Sequence, residues 1–232
     1  MPVSTVAMSF PARAAKGAAA LLLMAGLGLG GCAMSNMGEV AAPPPPPGAV
    51  AGPVLADWRG VITQDDRRRY NTRQQAWTLA LEQSRRQQGS GDLATLGDLL
   101  KPSAAKGDAS IPVGNYRCRT VKLGSQGGDD GLGYVIYGWF TCRVEQTPRG
   151  LRLVKLTGSQ RQDGLLYPED NRHQLFLGGM ALSSEAAAPA YGSNSNRDVM
   201  SVLERIGDRR WRLVTPWPRY ESNLDILELV PA

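Results

Sequence analysis

The chain has 232 residues, 42% of them hydrophobic, with 26 basic against 21 acidic side chains and a formal net charge of +5. That length supplies one domain's worth of buried core, and so mild a basic excess falls well short of a nucleic-acid footprint. A single histidine and three cysteines leave little material for a metal centre, so no metal and no cofactor is expected.

The first segment carries Arg13 and Lys16, then an apolar run from Gly17 to Gly31 that ends in Leu29-Gly30-Gly31-Cys32. Basic, then greasy, then small residues before one cysteine is the arrangement of a bacterial lipoprotein signal. The run is roughly 15 residues long, short of the ~20 a spanning helix needs, so an uncleaved anchor is the weaker alternative. Residues 1–31 are therefore expected to be removed, with Cys32 left as the acylated first residue that holds the protein on the membrane. Cleavage takes away Arg13 and Lys16 and no acid, leaving 24 basic against 21 acidic groups, or +3. The expected location is the cell envelope, facing the periplasm. Ala33 in place of an aspartate after the lipid site leans toward the outer membrane. The Gly26, Gly28, Gly30 spacing imitates a nucleotide fingerprint but has no strand before it and no helix after it.

Residues 32–56 are rich in proline, alanine and glycine, including the unbroken Pro43 to Pro47, and read as an extended tether. At ~3.1 Å per residue, roughly 24 residues reach up to ~70 Å. A tail with no spacing role has the same composition.

Residues 57–232 form a single globular domain, with a helical head over 57–112 and a β-rich body over 113–232. Thr63 with Asp66 three residues on is a capping-box signal for a helix that opens there and runs through Arg67 to about Gln87. Tyr70, Trp77 and Leu81 give that helix an apolar stripe, and Asp65 with Arg69 and Glu82 with Arg86 are i,i+4 pairs on its solvent side. Leu93, Leu96 and Leu100 predict a short second helix that Pro102 ends.

After Pro112, β-branched and aromatic segments alternate with turn residues at intervals of roughly ten. The pattern predicts eight strands: Asn115 to Leu123, Tyr134 to Glu145, Leu151 to Thr157, Leu165 to Tyr167, Arg172 to Leu177, Val199 to Ile206, Trp211 to Thr215, and Leu224 to Val230. Thr147-Pro148-Arg149-Gly150, Asp163-Gly164 and Gly207-Asp208 are the expected tight turns. Eight antiparallel strands in up-and-down order, as in lipocalins and avidins, remove their exposed edges by closing into a β-barrel, with the helix across the wall or one mouth. The expected class is thus α+β, mainly β; an open curved sheet under the helix gives much the same pattern.

Cys118 and Cys142 fall on the first two strands. An even pair in an oxidising compartment is most simply a disulfide, closing about 25 residues and contributing ~3 kcal/mol, against the alternative of two inert buried thiols.

Asp57-Trp58-Arg59-Gly60-Val61-Ile62-Thr63, Gly114-Asn115-Tyr116-Arg117-Cys118-Arg119 with Lys122-Leu123-Gly124, and Gly164-Leu165-Leu166-Tyr167-Pro168 make up one set of spaced motifs. Phe176-Leu177-Gly178, Arg197-Asp198-Val199, Val202-Leu203-Glu204-Arg205-Ile206-Gly207, and Arg212-Leu213-Val214 through Pro218 to Glu221-Ser222 and Leu224-Asp225 continue it. In these the chain resembles bacterial envelope proteins grouped as domain of unknown function 4893. The resemblance covers essentially everything from Asp57 onward. It supports the domain boundary and implies no activity, cofactor or catalytic residue.

Candidates for chemistry are weak. Ser103-Ala104-Ala105-Lys106 matches a serine-x-x-lysine pattern without its partner motifs, and His173 with Asp170 could seed a hydrolase triad but has no serine in a nucleophile-elbow context. Asp129-Asp130 lacks the spaced oxygens of a calcium loop, and Glu169 and Asp170 fit a solvated turn better than an acid/base pair. Catalysis is therefore not expected.

Binding is the more economical reading. The loops Gly124 to Gly133 and Ser183 to Arg197 exceed what a hairpin needs. The second holds Tyr191, Ser193, Asn194, Asn196 and Arg197, an aromatic anchor among adaptable polar groups; a loop without a role has the same composition. An apolar ligand inside the barrel against Tyr137 or Trp139 is a further possibility. The expected function is a lipid-anchored envelope protein that binds an envelope protein or small apolar ligand, or inhibits an envelope hydrolase. A structural lipoprotein without a ligand, and more remotely a hydrolase using His173, are the alternatives.

Overall fold

The computed structural model describes residues 56–232; the signal segment, Cys32 and the tether before Ala56 lie outside the described residues. The elements in order are α1 (Trp58–Val61), α2 (Gln64–Asn71), α3 (Arg73–Arg86), β1 (Gly89–Ser90) and a 3-10 helix (Leu93–Leu100). The strands β2 (Gly114–Leu123), β3 (Tyr134–Thr147), β4 (Gly150–Lys155) and β5 (Gln160–Pro168) come next. The chain ends with β6 (His173–Leu182), β7 (Asp198–Gly207), β8 (Arg210–Pro216) and β9 (Leu224–Pro231).

Every strand from β2 to β9 pairs antiparallel with the next, and β9 returns to β2, Cys118 opposite Leu229. The result is a closed eight-stranded up-and-down barrel. The two-residue β1 runs parallel to the start of β3 outside the closure.

Strand alternation sorts the side chains. Tyr116, Cys118, Cys142, Val144, Leu153, Leu166, Phe176, Leu203, Trp211, Leu213, Leu227 and Leu229 meet in the lumen. Val121, Leu123, Val214, Leu224 and Ile226 point outward and are covered by Ala76, Trp77, Ala80 and Leu81 of α3. This explains why β9 is apolar on both faces: one faces the lumen, the other lies under a helix. The two acids that interrupt it go opposite ways. Asp225 points into the lumen, while Glu228 points out and accepts from Arg119 Nη2 and Arg210 Nε, each at 2.7 Å.

The 3-10 helix is fastened to the wall by Arg212, which is fully buried. Its Nη1 donates to the carbonyls of Leu99 and Lys101 at 2.9 Å and its Nε to Glu204 Oε2 at 2.6 Å. The chain then crosses one end of the barrel. Ala109 and Ile111 are buried there, Trp211 Nε1 donates to Ser110 O at 3.0 Å, and Tyr116 hydroxyl to Pro112 O at 2.7 Å. That end is plugged.

Four local expectations are corrected. The helix predicted to open at Thr63 and run through Arg67 to about Gln87 is two helices, broken at Thr72. There the hydroxyl turns back to donate to Arg68 O at 2.9 Å and accepts from Trp217 Nε1 at 3.0 Å, a side-chain competition that ends a helix locally. Thr63 does cap α2, accepting from Asp66 N. Arg69 turns inward to Asp66 rather than pairing with Asp65, which instead meets Arg68 and Arg219.

Asp163-Gly164 is not a turn but the middle of β5. Gly164 faces Gly178, and a Cβ at Gly164 would collide with Leu177 O, so the glycine allows close strand approach rather than a reversal. The reversal between β4 and β5 comes earlier, at Leu156 to Ser159, with Gly158 at φ +94. Gly207 pairs with Arg210 after a register shift that follows Arg205, so the last tight turn is centred on Asp208 and Arg209.

Candidate functional site

The lumen face changes character toward the end opposite the plug. Along β2 the inward positions run Tyr116, Cys118, Thr120, Lys122, and along β4 they run Leu151, Leu153, Lys155; β5 contributes Gln160 and Gln162, β7 Ser201, β8 Thr215 and β9 Asp225. Lys122, Lys155, Gln162, Ser201, Thr215 and Asp225 are all buried.

Lys122 Nζ donates to Asp225 Oδ2 at 3.1 Å and lies 3.3 Å from Glu221 Oε2. Asp225 also accepts from the Ser222 hydroxyl, and Ser201 and Thr215 hydroxyls share a 2.6 Å hydrogen bond. Although burial works against its charge, Lys122 is held above the ordinary lysine range by Asp225 and Glu221.

Lys155 is the opposite case. Only 3% exposed, its Nζ donates to Gln160 O at 2.8 Å and stands 4.0 Å over the Phe140 ring, with no carboxylate within ion-pair distance among the described residues. Burial first, and the Lys122 charge second, push it down to about 8. Thr120, Lys122, Tyr137, Phe140, Lys155, Ser159, Gln160 and Glu221 enclose a cavity of about 100 Å³ that opens at this mouth. Thr120 Oγ1 and Gln162 Oε1 are buried with no hydrogen-bond partner among the described residues, although buried polar atoms of folded proteins nearly always have one.

The residues singled out from sequence fall elsewhere. Cys118 and Cys142 are bonded to each other, fully buried in the apolar half, and diagonal in register: Cys118 faces Phe140 and Cys142 faces Tyr116. The Ser183 to Arg197 loop is stitched to its own molecule. Tyr191 hydroxyl donates to Asp66 Oδ2 at 2.7 Å and accepts from Thr63 N at 3.1 Å. Ser193 donates to Ala190 O, Asn194 Oδ1 accepts from Asn196 N, Tyr220 hydroxyl donates to Asn196 O, and Arg197 pairs with Glu185 at 2.9 Å. Tyr191 is thus an internal anchor, though its ring also edges a groove of about 570 Å³ between this loop and the outer face of β5 and β6. The Gly124 to Gly133 loop is pinned as well, Gln126 Nε2 donating to Pro218 O and Ser222 O.

Tyr137 borders the polar mouth, whereas Trp139 stands on the outer wall between the Arg117 and Arg119 guanidinium groups, each 4.9 Å from its ring. Trp139 is not part of the buried apolar cluster of the lumen.

His173 Nδ1 lies 2.9 Å from Asp170, and its Nε2 faces Glu204 at 3.6 Å, so both ring nitrogens look at carboxylates rather than at a hydroxyl. Ser103 and Lys106 sit on the segment leading to the plug, Lys106 N donating to Arg205 O, with no hydrogen bond between their side chains. Asp129 accepts from Gln87 Nε2, and Glu169 from the Tyr70 hydroxyl. Among the described residues no three metal-ligating side chains converge.

The family model described as domain of unknown function (DUF4893) matches residues 58–229, nearly all of the described chain. The chain belongs to this family. No curated protein and no solved structure matches it. The DUF4893 match spans both halves of the barrel and the helices on its wall. Sequence reasoning misses Lys122, Lys155 and Asp225. The signal is present in part, since each breaks an apolar face at an i,i+2 position, but it becomes readable only once the register is known.

Proposed function

We propose that this DUF4893 protein is a non-catalytic binding module, held on the envelope through a lipidated Cys32 and facing the periplasm from the outer membrane, that takes a small anionic ligand at the polar mouth of its barrel. The observation that carries the reading is Lys155, a buried amine with no carboxylate partner among the described residues, in a cavity shared with Thr120, whose buried Oγ1 has no partner there either. A buried cation without a counter-ion is costly, and a ligand carboxylate would supply both the charge and the hydrogen bonds. Lys122 differs because Asp225 already balances it. A cavity of about 100 Å³ suits a molecule of a few heavy atoms.

Titration calorimetry of the full chain in detergent with acetate and with phosphate tests this. Acetate should bind the wild type and weaken by roughly tenfold or more in Lys155→Met, the loss of one charge-assisted hydrogen bond. Equal affinity in the two proteins, or no binding of either anion, defeats the reading. The membrane half of the proposal is tested on protein from the native cell: its first peptide should begin at an acylated Cys32, and a free Met1 in the soluble fraction removes it.

A second reading, in which the protein docks on or inhibits an envelope enzyme, is supported by the groove of about 570 Å³ under the Ser183 to Arg197 loop. Small-molecule and peptide sites fall in this size range, and the loop is held in one conformation by Tyr191 and Arg197.

A further inference from the structure

Lys155 has more to offer a ligand than charge. Its Nζ stands over the Phe140 ring in the wall of the polar cavity, donates to one backbone carbonyl, and shares the space with a second ammonium, Lys122, that Asp225 and Glu221 keep charged. The groups that face it are therefore Lys122, Asp225, Glu221 and the more distant Arg161, with Tyr137 at the rim. Burial and the neighbouring charge hold it at about 8, which leaves roughly 300-fold more free amine at neutral pH than an ordinary lysine has. A desolvated lysine next to another cation is the environment in which amines become nucleophiles toward carbonyls.

We propose that Lys155 Nζ captures small oxo acids, molecules with an aldehyde or ketone carbonyl beside a carboxylate, as an imine at the polar mouth. The inference rests on the binding role stated above. The Nζ lone pair attacks the carbonyl carbon, and the carbonyl π electrons move to oxygen. The nitrogen gives up its two protons, the oxygen gains two and leaves as water, and the C=N bond forms. Nothing is oxidised or reduced and no co-reactant is consumed. Thr120 Oγ1, lining the same cavity, is placed to meet a polar atom of the ligand.

The test uses the full chain in detergent with pyruvate and cyanoborohydride near neutral pH, which reduces an imine to a stable secondary amine. Intact mass should rise by one pyruvate less one oxygen, and peptide mapping should place the label on Lys155 at roughly a hundredfold the rate of the exposed Lys101. Acetate, which has the carboxylate but no carbonyl, should slow the labelling. Lys155→Arg and Lys155→Met, checked for native fold by circular dichroism, should remove it. Label spread over Lys101 and Lys106 with Lys155 untouched, while acetate still binds in a Lys155-dependent way, overturns the imine and leaves the binding role standing. Neither adduct nor anion binding overturns both.

Discussion

The two ends of this barrel are built from the same eight strands and differ in what the alternation delivers inward. At the plugged end the lumen positions are Tyr116, Cys118, Cys142, Leu153, Phe176, Trp211 and Leu229, closed by a disulfide and by a crossing segment whose Ile111 joins the core. At the other end the same strands present Thr120, Lys122, Lys155, Gln162, Ser201, Thr215 and Asp225. The first set gains from burial at every position. The second carries the cost of dehydrated charge and unpartnered polar atoms, which folding alone does not favour and which proteins retain where a site needs them. One end of the barrel holds the fold together and the other gives up part of that stability to a polar cavity.

Substitutions at the two ends should therefore carry opposite signs. The largest effect is expected from Phe176→Ala in the filled half, a loss of about 3–5 kcal/mol for removing a fully buried aromatic ring, read from urea unfolding. Replacing Cys118 and Cys142 together by alanine should cost about 3 kcal/mol, the constraint on a loop with a sequence separation of 24, measured by the shift in Tm between oxidised wild type and the double variant.

At the polar end the expectation reverses. Lys155→Met should stabilise the ligand-free protein by about 1–3 kcal/mol at neutral pH, because its folded-state amine, at about 8, lies below the ordinary 10.5. The unfolded chain binds the extra proton between these two values, so wild-type stability should gain on that of Lys155→Met as pH rises from about 8. A wild type whose stability does not gain on the variant across this interval would mean that Lys155 is not desolvated. The smallest effect belongs to Thr120→Val, which removes the orphaned Oγ1 at nearly constant shape and should raise Tm by an amount equivalent to about 1 kcal/mol. A loss there would show that the hydroxyl has a partner in the folded protein, and would weaken the contrast between the two ends.

Much of the architecture is legible in the order of residues alone. Short β-rich runs mark all eight barrel strands, the Thr63 side chain marks its cap, three leucines mark the second helix, and position on neighbouring strands marks the cysteine pair. The misreadings share a cause. Asp163-Gly164 has the composition of a turn, yet Gly164 is needed because Gly178 approaches across the ladder; Tyr70 to Leu81 has the stripe of one helix, yet Trp217 reaches in from far along the chain to meet Thr72 at the break. Apart from these two, the polar loop around Tyr191 keeps the composition of a recognition surface while its tyrosine hydroxyl is bonded to Asp66 and Thr63.

The succession of elements and their antiparallel order thus follow from the chain read locally, since strand length, turn placement and alternation are properties of neighbouring residues. Closure, and with it the polar cavity, arises only in three dimensions. Lys122, Lys155 and Asp225 come from three strands, and the pair of β2 with β9 that brings Lys122 opposite Asp225 joins the two ends of the barrel sequence. The same one-residue alternation could have turned each of these groups to water. Register and closure set the face each one shows, and those are fixed by contacts across the whole chain rather than along it.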